Sequence, residues 1–260
     1  GHFFWDIDMW KQKFIAFAIH LLVTLVTSGI CAVIVYGAWY PGAFAQMVGG
    51  ADILKLIIVA EFFLGPVMSF VIYNAAKTRR HLMIDYCVVG ILQLTALVYG
   101  VVTVESGRPI YMVFVKDRLE VIAKTELTES ELAKISDPEI TPSWSTFKNI
   151  CVEYPADTKE RSDLLLSAMG GRDIQLKPQY YRSCKAGEVQ NKTYSKDRLF
   201  SNTPIKIEDL PEHLRAKEFT WLPVVNRFSV WLVVYVKGEK EAYLNLDPLA
   251  EPPSSDQIKR

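Results

Sequence analysis

The sequence predicts a membrane protein, in which a three-helix transmembrane bundle is followed by a mixed α+β domain. Three apolar runs, residues 14–38, 53–73 and 82–104, are each long enough for the roughly 20 helical residues that cross a bilayer core of about 30 Å. Beyond residue 108, short alternating stretches separated by turn residues are typical of strands. Only six of the 29 Lys and Arg residues precede residue 105, so the net charge of zero averages two unlike parts.

Basic residues beside the apolar runs predict the orientation. Lys11 and Lys13 precede the first run and Lys77–Arg80 separates the second from the third, whereas residues 39–52 contain no Lys or Arg. The positive-inside rule therefore places the N-terminus and Lys77–Arg80 in the cytoplasm. Three spans then deliver the C-terminal domain to the far side of the membrane.

These observations divide the chain into four parts. The predicted parts are a cytoplasmic N-terminus (1–13), three transmembrane helices (14–104), a periplasmic α+β domain (105–249) and a flexible tail (250–260). Met9 opens a basic segment directly before the first span, so the simplest interpretation is that residues 1–8 are not native. An aromatic interfacial segment is the alternative.

Local patterns predict the elements of the C-terminal domain. The predicted strands are 110–115 with 119–123 as a hairpin, 147–154, and 227–236 with 241–246 as a second hairpin. The predicted helices are 128–135, 157–169 with an Asp cap, a helical or irregular segment at 188–200, and 207–214.

Cys151 and Cys184 both fall in this domain, whereas Cys31 and Cys87 lie within predicted spans. In an oxidising compartment Cys151 and Cys184 can form a disulfide, which stabilises a fold by roughly 3–4 kcal/mol in the chain-entropy model. The alternative is two free, buried thiols. We favour the disulfide because of the predicted location.

Polar or helix-distorting residues inside the spans form the candidate site. They are His20, Glu61, Gly65, Pro66, Asp85 and Gln93. An ionisable group such as Glu61 near the middle of a bilayer costs several kcal/mol unless it is protonated or paired. At about 1.5 Å per residue, Glu61 and Gln93 lie at similar depth and can share a hydrogen bond, while His20 and Asp85 can pair nearer the cytoplasmic face. Gly65-Pro66 permits a kink.

Three interpretations of these residues remain open. They can hold the three helices together through internal hydrogen bonds. They can instead form a polar groove that accepts the transmembrane helix of a partner. A proton path is the third interpretation, but three spans leave little room for one.

The exported domain carries no pattern typical of catalysis or of nucleic-acid binding. His213 is the only His after His81, so no His-based metal cluster or catalytic triad can be assembled there. Its near-neutral charge argues against a phosphate-binding surface. We therefore expect no enzyme activity, no metal, no cofactor and no nucleic-acid partner.

The chain resembles a known family, the TfpX/TfpZ type IV pilin accessory proteins. The matching segments are Lys13–Leu21, Trp39–Pro41, Glu61 with Leu64–Pro66, Asp85, Gln93-Leu94, Ala96-Leu97, Tyr99-Gly100, Arg108-Pro109, Phe114 and Leu244–Pro248. The membrane half matches closely, and residues 125–225 match in outline. The family usually has Asp where this chain has Glu61, and residues 1–8 and the tail beyond Pro248 fall outside the pattern.

The resemblance implies an inner-membrane protein of a Gram-negative bacterium that stabilises its cognate pilin or assists its assembly. Its expected partners are that pilin, through the pilin's transmembrane helix and head domain, and membrane lipid. A periplasmic ligand sensor or other membrane-anchored binding module is the alternative, although the chain has no cytoplasmic output domain. A membrane enzyme is a second alternative, weakened by the missing catalytic residues.

Overall fold

The computed structural model describes residues 2–74, 77–135, 137–145, 147–203 and 205–245, without the side chains of residues 2–9 and 202. The chain divides into two compact units. A helical unit comprises Gly1–Ala38 and Gly49–Ser106, and a sheet unit comprises Trp39–Val48 and Gly107–Arg260. Long apolar helices followed by a mixed α/β sheet confirm the predicted fold class. The predicted flexible tail, 250–260, lies outside the described residues.

The helical unit contains the three membrane-spanning helices. The first four helices in chain order are α1 (His2–Ile34, continued by a π-helical turn at Val35–Trp39), α2 (Phe44–Met47, in the sheet unit), α3 (Gly50–Ile72) and α4 (Arg79–Ser106). The segments long and apolar enough to cross a membrane are Trp10–Trp39, Gly50–Ile72 and Arg79–Ser106. Each of them covers or closely matches one predicted run.

Both α1 and α4 pack against α3. Gly100 of α4 is buried on Ile57 of α3, and a Cβ at this glycine would lie 2.8 Å from Ile57 Cδ1. A side chain at position 100 would force Ile57 to shift, and small residues at such close approaches are a common feature of helix packing in membranes.

The sheet unit is an eight-stranded mixed sheet with short helices. Its strands are β1 (Pro109–Val115), β2 (Arg118–Ala123), β3 (Lys148–Val152), β4 (Tyr181–Arg182), β5 (Tyr194–Ser195), β6 (Thr220–Val225), β7 (Val230–Tyr235) and β8 (Ala242–Asn245). Their order is β4-β3-β1-β2-β6-β7-β8, and β5 also pairs with β6. The remaining α-helices are α5 (Glu129–Leu132), α6 (Thr158–Met169), α7 (Lys196–Asn202) and α8 (Glu212–Arg215).

Most local predictions for this unit are confirmed. The β1–β2 and β7–β8 hairpins form, β3 lies within the predicted strand, and Asp157 caps α6 by accepting a hydrogen bond from Glu160 N at 2.9 Å. The predicted helix at 207–214 is wrong as one element, because Pro211 separates a 3₁₀ turn, Ile207–Asp209, from α8. The segment predicted at 188–200 is helical in α7 only from residue 196 onward, after a 3₁₀ turn and the short β5.

Strand β6 was not predicted, because Pro223 interrupts its pattern. In the structure β6 lies between β2 and β7 in the sheet order. Along one of its two edges, β6 pairs first with β5 and then with β2. The pairing with β5 covers Thr220 and Trp221, and the pairing with β2 begins at Val224. Pro223 falls between these two pairings, where a missing N–H is tolerated.

The short segment between the first two spans belongs to the sheet unit. Phe44 and Met47 of α2 are buried among Met112, Val224 and the other apolar side chains of one sheet face. Asn226 Nδ2 and Ser229 Oγ donate hydrogen bonds to the carbonyl of Met47 at 2.7 and 3.1 Å. Because this segment and the chain after α4 fold together, both must lie on the same side of the membrane, as three spans require.

Candidate functional site

A groove lies within the helical unit, with α1 and α4 as walls and α3 between them. Its volume is about 490 Å³. The lining residues are Gln12, Ile15, Ala16, Ile19, His20 and Val23 of α1, Ser69 of α3, Tyr73 at the end of α3, and Leu82 and Tyr86 of α4. The surface is mainly apolar with a few polar groups, as in most ligand sites.

The polar side chains of the groove are joined by hydrogen bonds. His20 Nδ1 lies 2.5 Å from the buried hydroxyl of Ser69, and Tyr86 donates from its hydroxyl to the Ser69 carbonyl at 3.3 Å. Tyr73 donates to Oε1 of Gln12 near one end of the groove. All three helices therefore contribute to one polar strip, which fixes the orientation of His20 within an apolar surface.

Gly65 allows the side chains of two other candidate residues, His20 and Gln93, to approach the same point on α3. A Cβ at this position would overlap Nε2 of Gln93 and lie 2.7 Å from Nε2 of His20. The missing side chain thus leaves space that both polar groups occupy. Pro66 is buried beside it inside α3, where it removes one donor from the backbone ladder.

The two pairings suggested by depth do not occur. Gln93 lies over Gly65, one turn from Glu61, because only the glycine leaves room for its amide. Asp85 instead pairs with Lys77, with Oδ2 and Nζ 2.6 Å apart, because a full positive charge lies on the preceding loop. His20 binds Ser69 rather than Asp85.

Glu61 is half-buried on α3 outside the groove lining. Within the described part of the chain, its carboxylate makes no hydrogen bond and no ion pair. Of the six predicted residues, the structure brings together His20, Gly65 and Gln93 and places Pro66 next to them. It leaves Glu61 and Asp85 apart from this cluster.

Four polar groove residues were not identified from the sequence: Gln12, Ser69, Tyr73 and Tyr86. Their side chains are of types common at the ends of membrane spans, so composition does not distinguish them. A helical projection would have found the signal, because Ser69 lies one turn after Gly65 and Tyr73 one turn after Ser69 on α3.

In the sheet unit, Cys151 and Cys184 form a disulfide with their Cα atoms 5.0 Å apart. Both guanidinium nitrogens Nη1 and Nη2 of Arg182 donate to Glu188, at 2.8 and 2.6 Å, and Lys185 N donates to the same carboxylate at 2.9 Å. The hydrogen bonds from Arg182 are the main cause that lowers the pKa of Glu188 to about 2. This ion pair and the disulfide hold the same loop.

These features define a class of protein that is anchored by three membrane-spanning helices, carries one folded sheet unit and has a groove between its helices. A family model described as the fimbrial assembly protein FimB matches residues 8–49. Fimbrial assembly proteins of Dichelobacter nodosus serogroups I and E1 are 26% and 25% identical to this chain over 246 residues, which is 88% of this chain and 94% of each relative.

A third relative from the same organism, the fimbrial assembly protein of serogroups C1 and C2, is 28% identical over 126 residues, or 47% of this chain and 96% of the relative. No solved structure matches. These similarities confirm the resemblance to type IV pilus accessory proteins that the sequence predicted.

Proposed function

We propose that this protein acts in type IV pilus assembly by holding the apolar N-terminal helix of its cognate pilin in the groove between α1 and α4. The names of the relatives support the role in assembly. The groove itself carries the finer proposal. Its lining includes the exposed side chains of Ile15, Ile19 and Val23, with the His20–Ser69 pair among them. An apolar helix with one polar residue fits such a surface, because the polar residue finds a partner in the membrane.

Glu61 is a second point at which a partner can bind. A carboxyl without an internal hydrogen bond is costly at this depth of a membrane. A polar group on the pilin helix would relieve that cost. The pilin then gains stability from the same contact, which is the behaviour of a chaperone.

We further propose that the protein lies in the bacterial inner membrane with its N-terminus in the cytoplasm and its sheet unit in the periplasm, facing the pilin head. The basic segment Lys77–Arg80, which includes the start of α4, supports this orientation. The Cys151–Cys184 disulfide supports an oxidising location for the sheet unit. The role is one of binding, with no catalytic step and no cofactor.

Filling the groove tests the proposal. Ala16 lines the groove, whereas Ala18 is exposed on α1 and does not. In cells that express the cognate pilin, Ala16→Trp should sharply reduce the pilin recovered with this protein from detergent extracts, and should lower the pilus count. Ala18→Trp, the same change two residues away, should leave both unchanged.

Immunoblots of both proteins in the same cells distinguish the outcomes. We expect the level of this protein to be equal in the two variants. Normal pilin recovery and piliation with Ala16→Trp at a normal protein level would contradict pilin binding in the groove. A pilin of another type serves as the control for cognate specificity.

A further inference from the structure

The sheet unit continues into a membrane-spanning helix at three points, which we call the exits. All three exits lie at the same edge of the sheet, the one formed by the ends of its central strands. Strand β1 begins at this edge, immediately after α4. Strand β3 is parallel to β1 and also begins there, while β2 returns to it. Because β6 is parallel to β2, the β6–β7 turn falls at the same edge. We call it the junction edge and define it by Trp39, Met47, Arg108, Ser143-Trp144 and Asn226–Ser229.

Side-chain contacts inside the sheet unit tie the three exits to this edge. After α4, Arg108 donates from Nη2 to the Ser143 carbonyl at 2.7 Å. At the end of the first span, the Trp39 ring packs edge-on against Trp144, with ring centroids 5.7 Å apart. Before α3, the Met47 carbonyl accepts the hydrogen bonds from the β6–β7 turn described above. Each exit is therefore next to one loop of the junction edge.

Two large aromatic side chains of this edge are exposed. Trp144 is 59% exposed and Phe228 is 76% exposed. Phe228 is held at the tip of its turn, because Asn226 Oδ1 accepts hydrogen bonds from the backbone N–H groups of Phe228 and Ser229, at 2.7 and 2.8 Å. Arg227, also exposed, lies beside it at the tip. The turn thus presents one cation and one aromatic ring from a rigid support.

The level of the membrane surface follows from the exits. Trp39 belongs to the sheet unit and is also the last residue of the first apolar span, so the end of that span marks the level of the membrane surface. Aromatic side chains are favoured at the headgroup level of a bilayer, and arginine binds phosphate strongly. Trp144 contacts Trp39, and Phe228 lies in the turn that binds the Met47 carbonyl, so both exposed side chains have an apolar surface within reach.

We infer that the junction edge is a lipid-binding surface, on which Trp144 and Phe228 insert into the headgroup layer and Arg227 binds lipid phosphate. The contact holds the sheet unit against the membrane independently of any pilin. It is carried by residues outside the groove, so it does not depend on the function proposed above.

The test uses the full-length protein in vesicles of phosphatidylethanolamine and phosphatidylglycerol. In a background with Cys31→Ala and Cys87→Ala, which keeps the Cys151–Cys184 disulfide, nitroxide labels are attached to Phe228→Cys or Trp144→Cys. Collisions of each label with oxygen, which concentrates in lipid, and with a water-soluble nickel chelate are measured by electron paramagnetic resonance. The oxygen-to-nickel ratio should be several-fold higher at both positions than at a label in water.

Lys237→Cys is the matched aqueous control, because Lys237 is exposed in the β7–β8 turn, about 20 Å along β7 from the junction edge. Leu22→Cys on the exposed face of α1 is the membrane reference. In the Phe228-labelled protein, Arg227→Glu should shift the label toward the aqueous value.

Two results would overturn the inference. The first is a ratio at both Phe228 and Trp144 equal to that at Lys237. The second is protection from nickel that arises only when pilin is added to the vesicles, which would assign the edge to a protein partner.

Discussion

At the scale of single residues, Gly65 has the clearest physical role, because its missing side chain is what lets His20 and Gln93 meet. Depth along the helices predicted a different pairing for Gln93. The reason is that depth ignores the rotation of each helix about its own axis, which decides which residues face a neighbour.

Gly65→Ala should lower the unfolding temperature in detergent, because overpacking costs about 1–3 kcal/mol. The added Cβ would overlap the Gln93 amide. Gln93→Ala in the same chain should recover part of the loss, since it removes the nearest group but leaves Nε2 of His20 2.7 Å from the added Cβ. Gly90→Ala on α4, where a Cβ meets no atom within 4 Å, is the control and should be tolerated. An equal loss with and without Gln93 would contradict the contact.

Glu61→Leu tests whether the carboxyl serves the protein itself or a partner. In the described part of the chain, the Glu61 carboxylate makes no hydrogen bond that the variant could lose. The variant should therefore remain as abundant as the original protein, because an uncompensated polar group has been removed from the membrane. The level of cognate pilin should fall. Leu64→Ala, an exposed position on the same helix, is the control. Immunoblots measure both protein levels. A normal level of pilin with Glu61→Leu would show that Glu61 has no role in pilin binding.

Glu188 gives the sheet unit a dependence on pH. Its pKa is lowered in the fold to about 2 by Arg182, so its contribution to stability is complete above the ordinary carboxyl pKa of about 4.5 and disappears as the pH falls toward 2. At neutral pH, Glu188→Gln should cost about 1 kcal/mol, since the pair is partly exposed and screened.

The measurement is thermal unfolding of both proteins in detergent from neutral pH downward. The difference between them should shrink below about pH 4.5. Glu218→Gln, at an exposed position, is the comparison and should show a smaller difference at neutral pH. A difference that stays constant over this range would show that the Arg182–Glu188 pair does not cause it.

At the scale of elements, α2 joins the two parts of the chain that the sequence separates. It is a single turn of helix in a connection that looks like a simple Gly- and Ala-rich loop. Its Phe44 ring nevertheless lies 4.3 Å from the ring of Phe147 and 5.4 Å from that of Tyr243, measured between centroids. The connection between two membrane helices therefore completes the core of the sheet unit.

Phe44→Ala should destabilise the sheet unit by about 3–5 kcal/mol, because it empties a buried aromatic site. Limited proteolysis of the detergent-solubilised protein should cleave the C-terminal part faster in this variant. Leu165→Ala, an exposed position on α6 of the same unit, should behave like the original protein. Equal cleavage rates for all three would mean that the segment does not support the sheet unit.

For the whole molecule, the proposed orientation can be checked by alkaline phosphatase fusions, which are active only in the periplasm. Fusions after Gly42 and after Glu105 should be active, because Gly42 lies in the sheet unit, Glu105 lies just before it in the chain, and the sheet unit is proposed to be periplasmic. A fusion after Arg79 should have little activity. Activity at Arg79, or none at Gly42, would overturn the orientation.

The sequence by itself determined the three spans, the β1–β2 and β7–β8 hairpins and the cap of α6. These features depend on apolar length, alternation and neighbouring residues, all of which are local in the chain. The resemblance to pilus accessory proteins could also be recognised, since it depends on short motifs in the membrane half.

Only the tertiary structure decided which distant segments meet. It placed β6 between β2 and β7, Gln93 over Gly65, His20 on Ser69, and α2 inside the sheet unit. The physical reason is that strand order, helix rotation and the packing of a connection depend on contacts between residues far apart in the chain. A local pattern shows that a side chain needs a partner, whereas the folded chain selects which partner it has.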